Sequence, residues 1–181
     1  MTRKIYPSEL VAKAAKIKCL ICDVDGVFSD GQIYLSNTGE ELKAFYVPDG
    51  QWIKYLLASG VEIAVITGRS SNLVQQRMQS LRIQHIYQGQ QDKLPAFKEL
   101  IDKLNLQLEQ VAYIGDDLPD LPLICMAGLG ITVPNAISFV QQHADWQTQA
   151  AGGRGAIREV CELLLDSQGH LTKLLKSYQN V

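Results

Sequence analysis

The chain has 181 residues, 46% of them hydrophobic, and a formal net charge of −2. That length suits one domain spanning residues 1–181, and the near-neutral charge argues against a nucleic-acid or anionic-membrane surface, which needs clustered basic residues. No apolar run approaches the roughly 18 residues of a membrane span, and residues 1–16 are mixed and charged without a signal-peptide core, so the cytoplasm is the expected location.

The first predicted strand, 18–23, runs straight into Asp23-Val24-Asp25-Gly26. Asp is disfavoured in strands, and two carboxylates at i and i+2 repel each other. A divalent cation, a phosphate group, or both, would offset that repulsion. Cys19 and Cys22 form a C-x-x-C, but strand residues three apart point to opposite faces. No second pair or suitably placed His completes a zinc set. These two, with Cys125 and Cys161 in apolar helical patterns, read as buried free thiols. Residues 31–47 then predict a β-hairpin: 32–35, the turn Ser36-Asn37-Thr38-Gly39, and 40–47. An isolated hairpin is marginal in water, so it must pack on the domain or on another subunit.

Further along, helical windows at 51–59, 70–81, 93–104, 118–126, 136–142 and 156–165 alternate with strands at 61–67, 84–87, 111–115 and 128–132, and a weak one at 144–146. Runs such as Ile63-Ala64-Val65-Ile66 are apolar throughout, the pattern of a parallel sheet covered on both faces. Repeated βα units of this kind predict a doubly wound, mostly parallel α/β fold. No insertion is long enough to form a cap domain. The glycine-rich segment 151–156 fits either a flexible connector or a close backbone approach. The tail, 166–181, carries a weak apolar stripe (Leu171, Leu174, Leu175, Tyr178) that suits a docked helix or a loose end.

In open α/β sheets, ligands bind beyond the carboxyl ends of the strands. Those ends carry Asp23-Val24-Asp25, Thr67-Gly68-Arg69, Gly89 to Lys93, and Gly115-Asp116-Asp117-Leu118-Pro119-Asp120. Carboxylates suit a hard cation such as Mg²⁺. A hydroxyl beside glycine can donate to a phosphate oxygen, and a Lys neutralises phosphate as a point cation. A carboxylate attacks phosphorus once the repulsion between the two anions is neutralised. Singly these are weak signals: Asp116-Asp117 could be a helix-capping turn, and Lys93 a solvated first-turn residue behind an Asp92 cap. Their order at successive strand ends gives the reading its weight. His85, His143 and His170 show no mutual spacing that suggests a metal site or a triad.

D-x-D-G, a Thr before Gly, a Lys and G-D-D together resemble the four motifs of the haloacid dehalogenase-like phosphatases. Across nearly the whole chain the sequence resembles the capless 3-deoxy-D-manno-octulosonate 8-phosphate phosphatase family, on C-D-V-D-G-V-F-S-D-G, G-E-E-L-K-A-F, I-T-G-R, Y-Q-G-Q-Q-D-K, Y-I-G-D-D-L-P-D-L-P and A-G-G-R-G-A-I-R-E-V-C. The resemblance implies a Rossmann-like fold with a protruding hairpin. It implies a Mg²⁺-dependent hydrolysis of a sugar-acid phosphate in lipopolysaccharide precursor synthesis. It also implies a homotetramer assembled through the hairpin, with the tail helping to close a neighbouring subunit's site. Asp23 would be the nucleophile, and Asp25 would protonate the leaving hydroxyl and then take a proton from water. Asp23, the main-chain carbonyl of Asp25, and Asp116 would hold the metal, with Asp117 and Asp120 outside that set. Thr67 and Lys93 would hold the phosphoryl oxygens.

Substrate contacts would fall on Asp25, Tyr46, Val47, Pro48, Asp49, Gly50, Lys54, Arg69, Arg77 and Lys93. Here the chain departs from the family. Tyr46 and Pro48 stand where Asn and Arg are common, and Lys54 where Arg is usual. Lys lacks the bidentate carboxylate grip of Arg, and Pro48 removes a cation and an amide donor. These departures leave the reaction class intact and keep a nine-carbon nonulosonate 9-phosphate as an alternative substrate. A catalytically silent tetrameric scaffold is a second alternative, opposed by the retained Asp23, Asp25 and Lys93. A receiver-type domain is a third, opposed by the hairpin after Asp25 and by Gly115-Asp116-Asp117.

Overall fold

The computed structural model describes residues 4–179; the first three residues and the last two of the predicted tail lie outside the described residues. In chain order the strands are β1 (Cys19–Cys22), β2 (Tyr34–Leu35), β3 (Glu41–Leu42), β4 (Glu62–Ile66), β5 (His85–Tyr87), β6 (Val111–Gly115), β7 (Leu129–Thr132) and β8 (Trp146–Gln147). The α-helices are α1 (Ser8–Ala14), α2 (Val47–Ala58), α3 (Asn72–Ser80), α4 (Leu94–Leu104), α5 (Leu121–Met126), α6 (Ser138–Gln141), α7 (Ala156–Ser167) and α8 (Leu171–Ser177).

β2 and β3 pair antiparallel as the hairpin. The other six strands form one sheet in the order β5-β4-β1-β6-β7-β8, with every pairing parallel. The order runs outward from β1 in both directions, so β1 marks the switch point where a crevice opens at the carboxyl ends of the strands. All four residues of β1 are fully buried, as are Ala64, Val65 and Ile66 of β4. Burial on both faces explains apolar runs without alternation. α2 packs on α7 and β4, α1 on α7, and α5 on β6 and β7.

Several elements differ from the sequence reading. α1 has no predicted counterpart; it is short and buries only Leu10 and Ala14, too little periodicity to register. The hairpin ladder holds two residues per strand, and α2 begins at Val47, so the segment read as a strand through 47 supplies the helix cap instead. Pro48 sits in the first turn of α2, where a missing N–H has no intrahelical partner to lose. The window 118–126 divides into a 3₁₀ turn, Leu118–Asp120, and α5. The tail forms α8, which meets α2 through a 2.8 Å hydrogen bond between the hydroxyls of Tyr178 and Tyr55. Cys125 is exposed rather than buried, while Cys19, Cys22 and Cys161 are buried free thiols. Burial pushes the Cys19 thiol up to about 12 and the Cys22 and Cys161 thiols well above their usual range, so these three are inert.

Candidate active site

β1 carries Asp23 into the crevice, its N–H still bonded to Ile114 in the neighbouring strand at 3.0 Å. Gly26 then turns the chain with φ +95°, and a Cβ there would lie 2.0 Å from Oδ2 of Asp116. Only glycine allows both the turn and the close approach of the loops after β1 and β6.

Lys93 precedes α4 and is 4% exposed, so it is not a solvated first-turn residue. Its Nζ donates to Oδ1 of Asp23 at 2.5 Å and to Oδ1 of Asp120 at 2.6 Å. Asp120 Oδ1 also accepts the Tyr113 hydroxyl at 2.5 Å. Its Oδ2 accepts the backbone N–H groups of Asp116 and Asp117 at 3.1 and 3.2 Å. Asp120 thus ties the turn after β6 to Lys93. Asp117 is exposed and caps the 3₁₀ turn by accepting the Leu118 N–H at 2.8 Å. That is the capping role sequence allowed for it.

Asp23, Asp116 and Asp120 each offer a carboxylate oxygen, all within 4.8 Å of one another. Burial, reinforced by Asp120, raises the Asp23 carboxyl to about 7 against the pull of Lys93. Burial, then Asp23, Asp120 and Asp117, raises Asp116 to about 8. Burial alone would lower the Lys93 ammonium, but Asp23 and Asp120 outweigh it and raise it. Three carboxylates thus share one ammonium, and the all-oxygen donor set fits a hard divalent cation. Both oxygens of Asp120 are engaged in hydrogen bonds, which leaves Asp23 and Asp116 as the side chains suited to ligation.

Asp25 forms a second cluster. The register that sets Cys22 opposite Val65 puts Thr67 at the same sheet edge as Asp23, and Arg69 follows it. Arg69 Nε lies 3.9 Å from Oδ2 of Asp25, and its Nη2 is 3.3 Å from Glu41. The Oδ1 oxygen of Asp25 accepts from Lys43 Nζ and, at 3.3 Å, from the Ser29 hydroxyl. Lys43 was missed as a site residue. It reads as one more charge in Glu40-Glu41-Leu42-Lys43, and no spacing rule links it to a carboxylate eighteen residues away. Its only sequence signal is membership of the G-E-E-L-K-A-F segment. Asn135 was missed for the same reason. Its amide donates to the Gly26 carbonyl at 2.9 Å and its side-chain oxygen accepts the Gly152 N–H at 2.8 Å. This clips the glycine-rich loop to the loop after β1, so 151–156 is a close backbone approach and not a free connector.

The predicted substrate contacts divide. Arg77 packs against Gly50, where a Cβ would lie 2.5 Å from its Nη2, and sits 5.9 Å from the Phe45 ring centroid. Arg77 and the first turn of α2 are thus brought together. Tyr46 and Val47 are exposed at the start of α2. Asp49 is turned inward, 1% exposed; its Oδ1 accepts the Arg158 N–H at 2.7 Å, capping α7 from a neighbouring helix. Its side chain is therefore committed to structure. Lys54 lies apart, lining a surface hollow with Glu62 and Arg82. Glu62 begins β4, so this is the opposite sheet edge from Thr67.

The sequence profile of the haloacid dehalogenase-like hydrolases matches residues 83–159. The chain is 52% identical over 164 residues to 3-deoxy-D-manno-octulosonate 8-phosphate phosphatase of Escherichia coli strain K12, covering 91% of this chain and 87% of that one. Its fold matches the crystal structure of the Moraxella catarrhalis phosphatase of that name in complex with magnesium, phosphate and KDO. The TM-score there is 0.94 at 47% identity, over 96% of this chain and all (100%) of that one. The Yersinia pestis phosphatase of that name matches with a TM-score of 0.92 at 48% identity, over 95% and 93% of the two chains.

Proposed function

The chain belongs to the 3-deoxy-D-manno-octulosonate 8-phosphate phosphatase family of haloacid dehalogenase-like hydrolases, and from that premise we propose that it hydrolyses 3-deoxy-D-manno-octulosonate 8-phosphate to the sugar acid and phosphate, using Mg²⁺. The observation that carries this reading is the convergence of Asp23, Lys93, Asp116 and Asp120 at one sheet edge, with Asp25 two residues beyond Asp23.

The side chains of Asp23 and Asp116 and the main-chain carbonyl of Asp25 would hold Mg²⁺, which when bound neutralises the charge between the attacking carboxylate and the phosphoryl group. Asp23 attacks phosphorus, forming an O–P bond to its carboxylate as the bond to the sugar oxygen breaks. Asp25 gives its proton to that oxygen. Water then attacks the same phosphorus and loses a proton to Asp25; phosphate leaves and Asp23 is restored. Thr67 donates its hydroxyl to a phosphoryl oxygen. Lys93 stays bound to Asp23 and Asp120 and contributes positive charge where negative charge builds up on the phosphoryl oxygens. Arg69, exposed beside Asp25, is placed to meet the substrate's carboxylate.

The residues form one catalytic domain without a cap, in the cytoplasm, and assemble as a homotetramer through the hairpin. Its exposed apolar side chains support this: Leu35 is 70% and Leu42 62% exposed, on a two-stranded element that is marginal alone. The test is phosphate release from eight- and nine-carbon keto-sugar acid phosphates with and without a chelator. The eight-carbon substrate should show the higher kcat/KM and chelation should abolish turnover. Preference for the nine-carbon substrate would transfer the assignment to a nonulosonate phosphatase.

A further inference from the structure

The hairpin's one inward-reaching cation is Lys43. Its side chain is 1% exposed although it extends from an exposed two-stranded element. Its Nζ donates to Oδ1 of Asp25 and lies 3.9 Å from Glu41. Ser29 uses the same oxygen of Asp25 from the other side, at 3.3 Å. Arg69 Nε lies 3.9 Å from Oδ2, beyond hydrogen-bond reach. The two oxygens of this carboxylate are therefore not equivalent. One is held by Lys43 and Ser29; the other, on the side of Arg69, has no hydrogen bond among the described residues.

We propose that Lys43 is a positioning residue for proton transfer: it anchors Oδ1 of Asp25 so that Oδ2 carries the proton to and from the reacting oxygens. Burying a flexible lysine stem and its ammonium on one carboxylate needs that carboxylate to return a strong, directed contact. A carboxyl fixed by one oxygen can rotate about χ2 only by breaking that contact, so the second oxygen keeps its bearing on the leaving group. Catalysis gains because a proton donor misplaced by about 1 Å loses on the order of a hundredfold in rate. The hairpin thereby contributes to chemistry in its own subunit as well as supplying an apolar surface.

The inference rests on the assignment of Asp25 as proton donor, and three substrates separate the two. kcat/KM reports events up to departure of the leaving group, so it isolates the first proton transfer. The sugar-acid phosphate and a neutral-sugar phosphate both leave as alkoxides that need a proton; p-nitrophenyl phosphate leaves as a stable anion that does not. In Lys43→Ala, kcat/KM should fall about tenfold to a hundredfold for the first two and less than about threefold for p-nitrophenyl phosphate. Lys43→Arg should recover part of the loss. Asp25→Asn should show the same split more strongly. Loss confined to the carboxylate-bearing substrate would overturn the proposal in favour of a substrate grip. Equal loss on all three, with a lowered melting temperature, would overturn it in favour of a purely structural ion pair. Absence of the split in Asp25→Asn would instead remove the proton-donor assignment itself.

Discussion

Asp120 has four donors converging on two oxygens: Lys93, the Tyr113 hydroxyl, and the N–H groups of Asp116 and Asp117. Truncating one member of such a buried network strands the others. Asp120→Ala should lower unfolding free energy by about 3–5 kcal/mol and reduce phosphate release, measured by denaturant titration and steady-state assay. A stable, fully active variant would show that the anchor is dispensable. Asp49 gives a pH signature. Burial raises its carboxyl from 3.8 to about 6, although the Arg158 and Gly155 N–H groups, then the Arg158 and Arg77 charges, pull it down. The folded chain therefore holds this proton more tightly than the unfolded one, so its contribution to stability falls as pH rises from about 4 to about 6 and is fully unfavourable above that. The span is at most about 3 kcal/mol. Asp49→Asn lacks that charge, and its melting temperature should gain on wild type across the same window. A difference independent of pH would contradict the assignment. At this scale the residues at strand ends were legible because position and chemistry coincide in sequence. Lys43, Asn135 and the inward turn of Asp49 were not, since each depends on a tertiary partner at no fixed spacing.

Elements were legible in proportion to their burial. β1 and β6 are continuous apolar runs, as is β4 after Glu62, and their boundaries agree with the pattern to within a residue. The hairpin was read longer than it is because 40–47 alternates well enough to suggest a strand, while Pro48 in the first turn of α2 lets the helix begin at Val47. The glycine-rich loop shows what composition alone leaves open. A Cβ on Gly152 would lie 1.7 Å from the Gly26 carbonyl oxygen, so the loop seats against the backbone beside Asp25. Gly152→Ala should destabilise by about 1–3 kcal/mol and lower kcat by displacing the loop after β1. Wild-type kcat with wild-type stability would mean the loop relaxes freely. α8 packs on the core only through the partly buried Leu171 and Leu174 and the Tyr178 hydroxyl, so removing the chain after Gly169 should lower melting temperature modestly. A change in kcat or KM on that truncation would support a role for the tail at a neighbouring subunit's site, and unchanged constants would count against it.

At the scale of the molecule, the doubly wound sheet follows from β1 at its centre with strands added outward on both sides. The crevice at that switch point is where Asp23 emerges, so fold and site have one cause. The proposed tetramer is tested by charge: if the hairpin assembles it, Leu35→Glu with Leu42→Lys on the exposed hairpin should give smaller species than the wild type in sedimentation velocity, and an unchanged sedimentation profile would count against the hairpin as the interface. The central claim is that Asp23 performs the chemistry at phosphorus. It is tested most directly by phosphate release from 3-deoxy-D-manno-octulosonate 8-phosphate with Mg²⁺ by Asp23→Asn, alongside circular dichroism to confirm folding. A folded variant with kcat reduced by at least about 10³-fold is the predicted result; a folded variant that retains wild-type turnover would contradict the account.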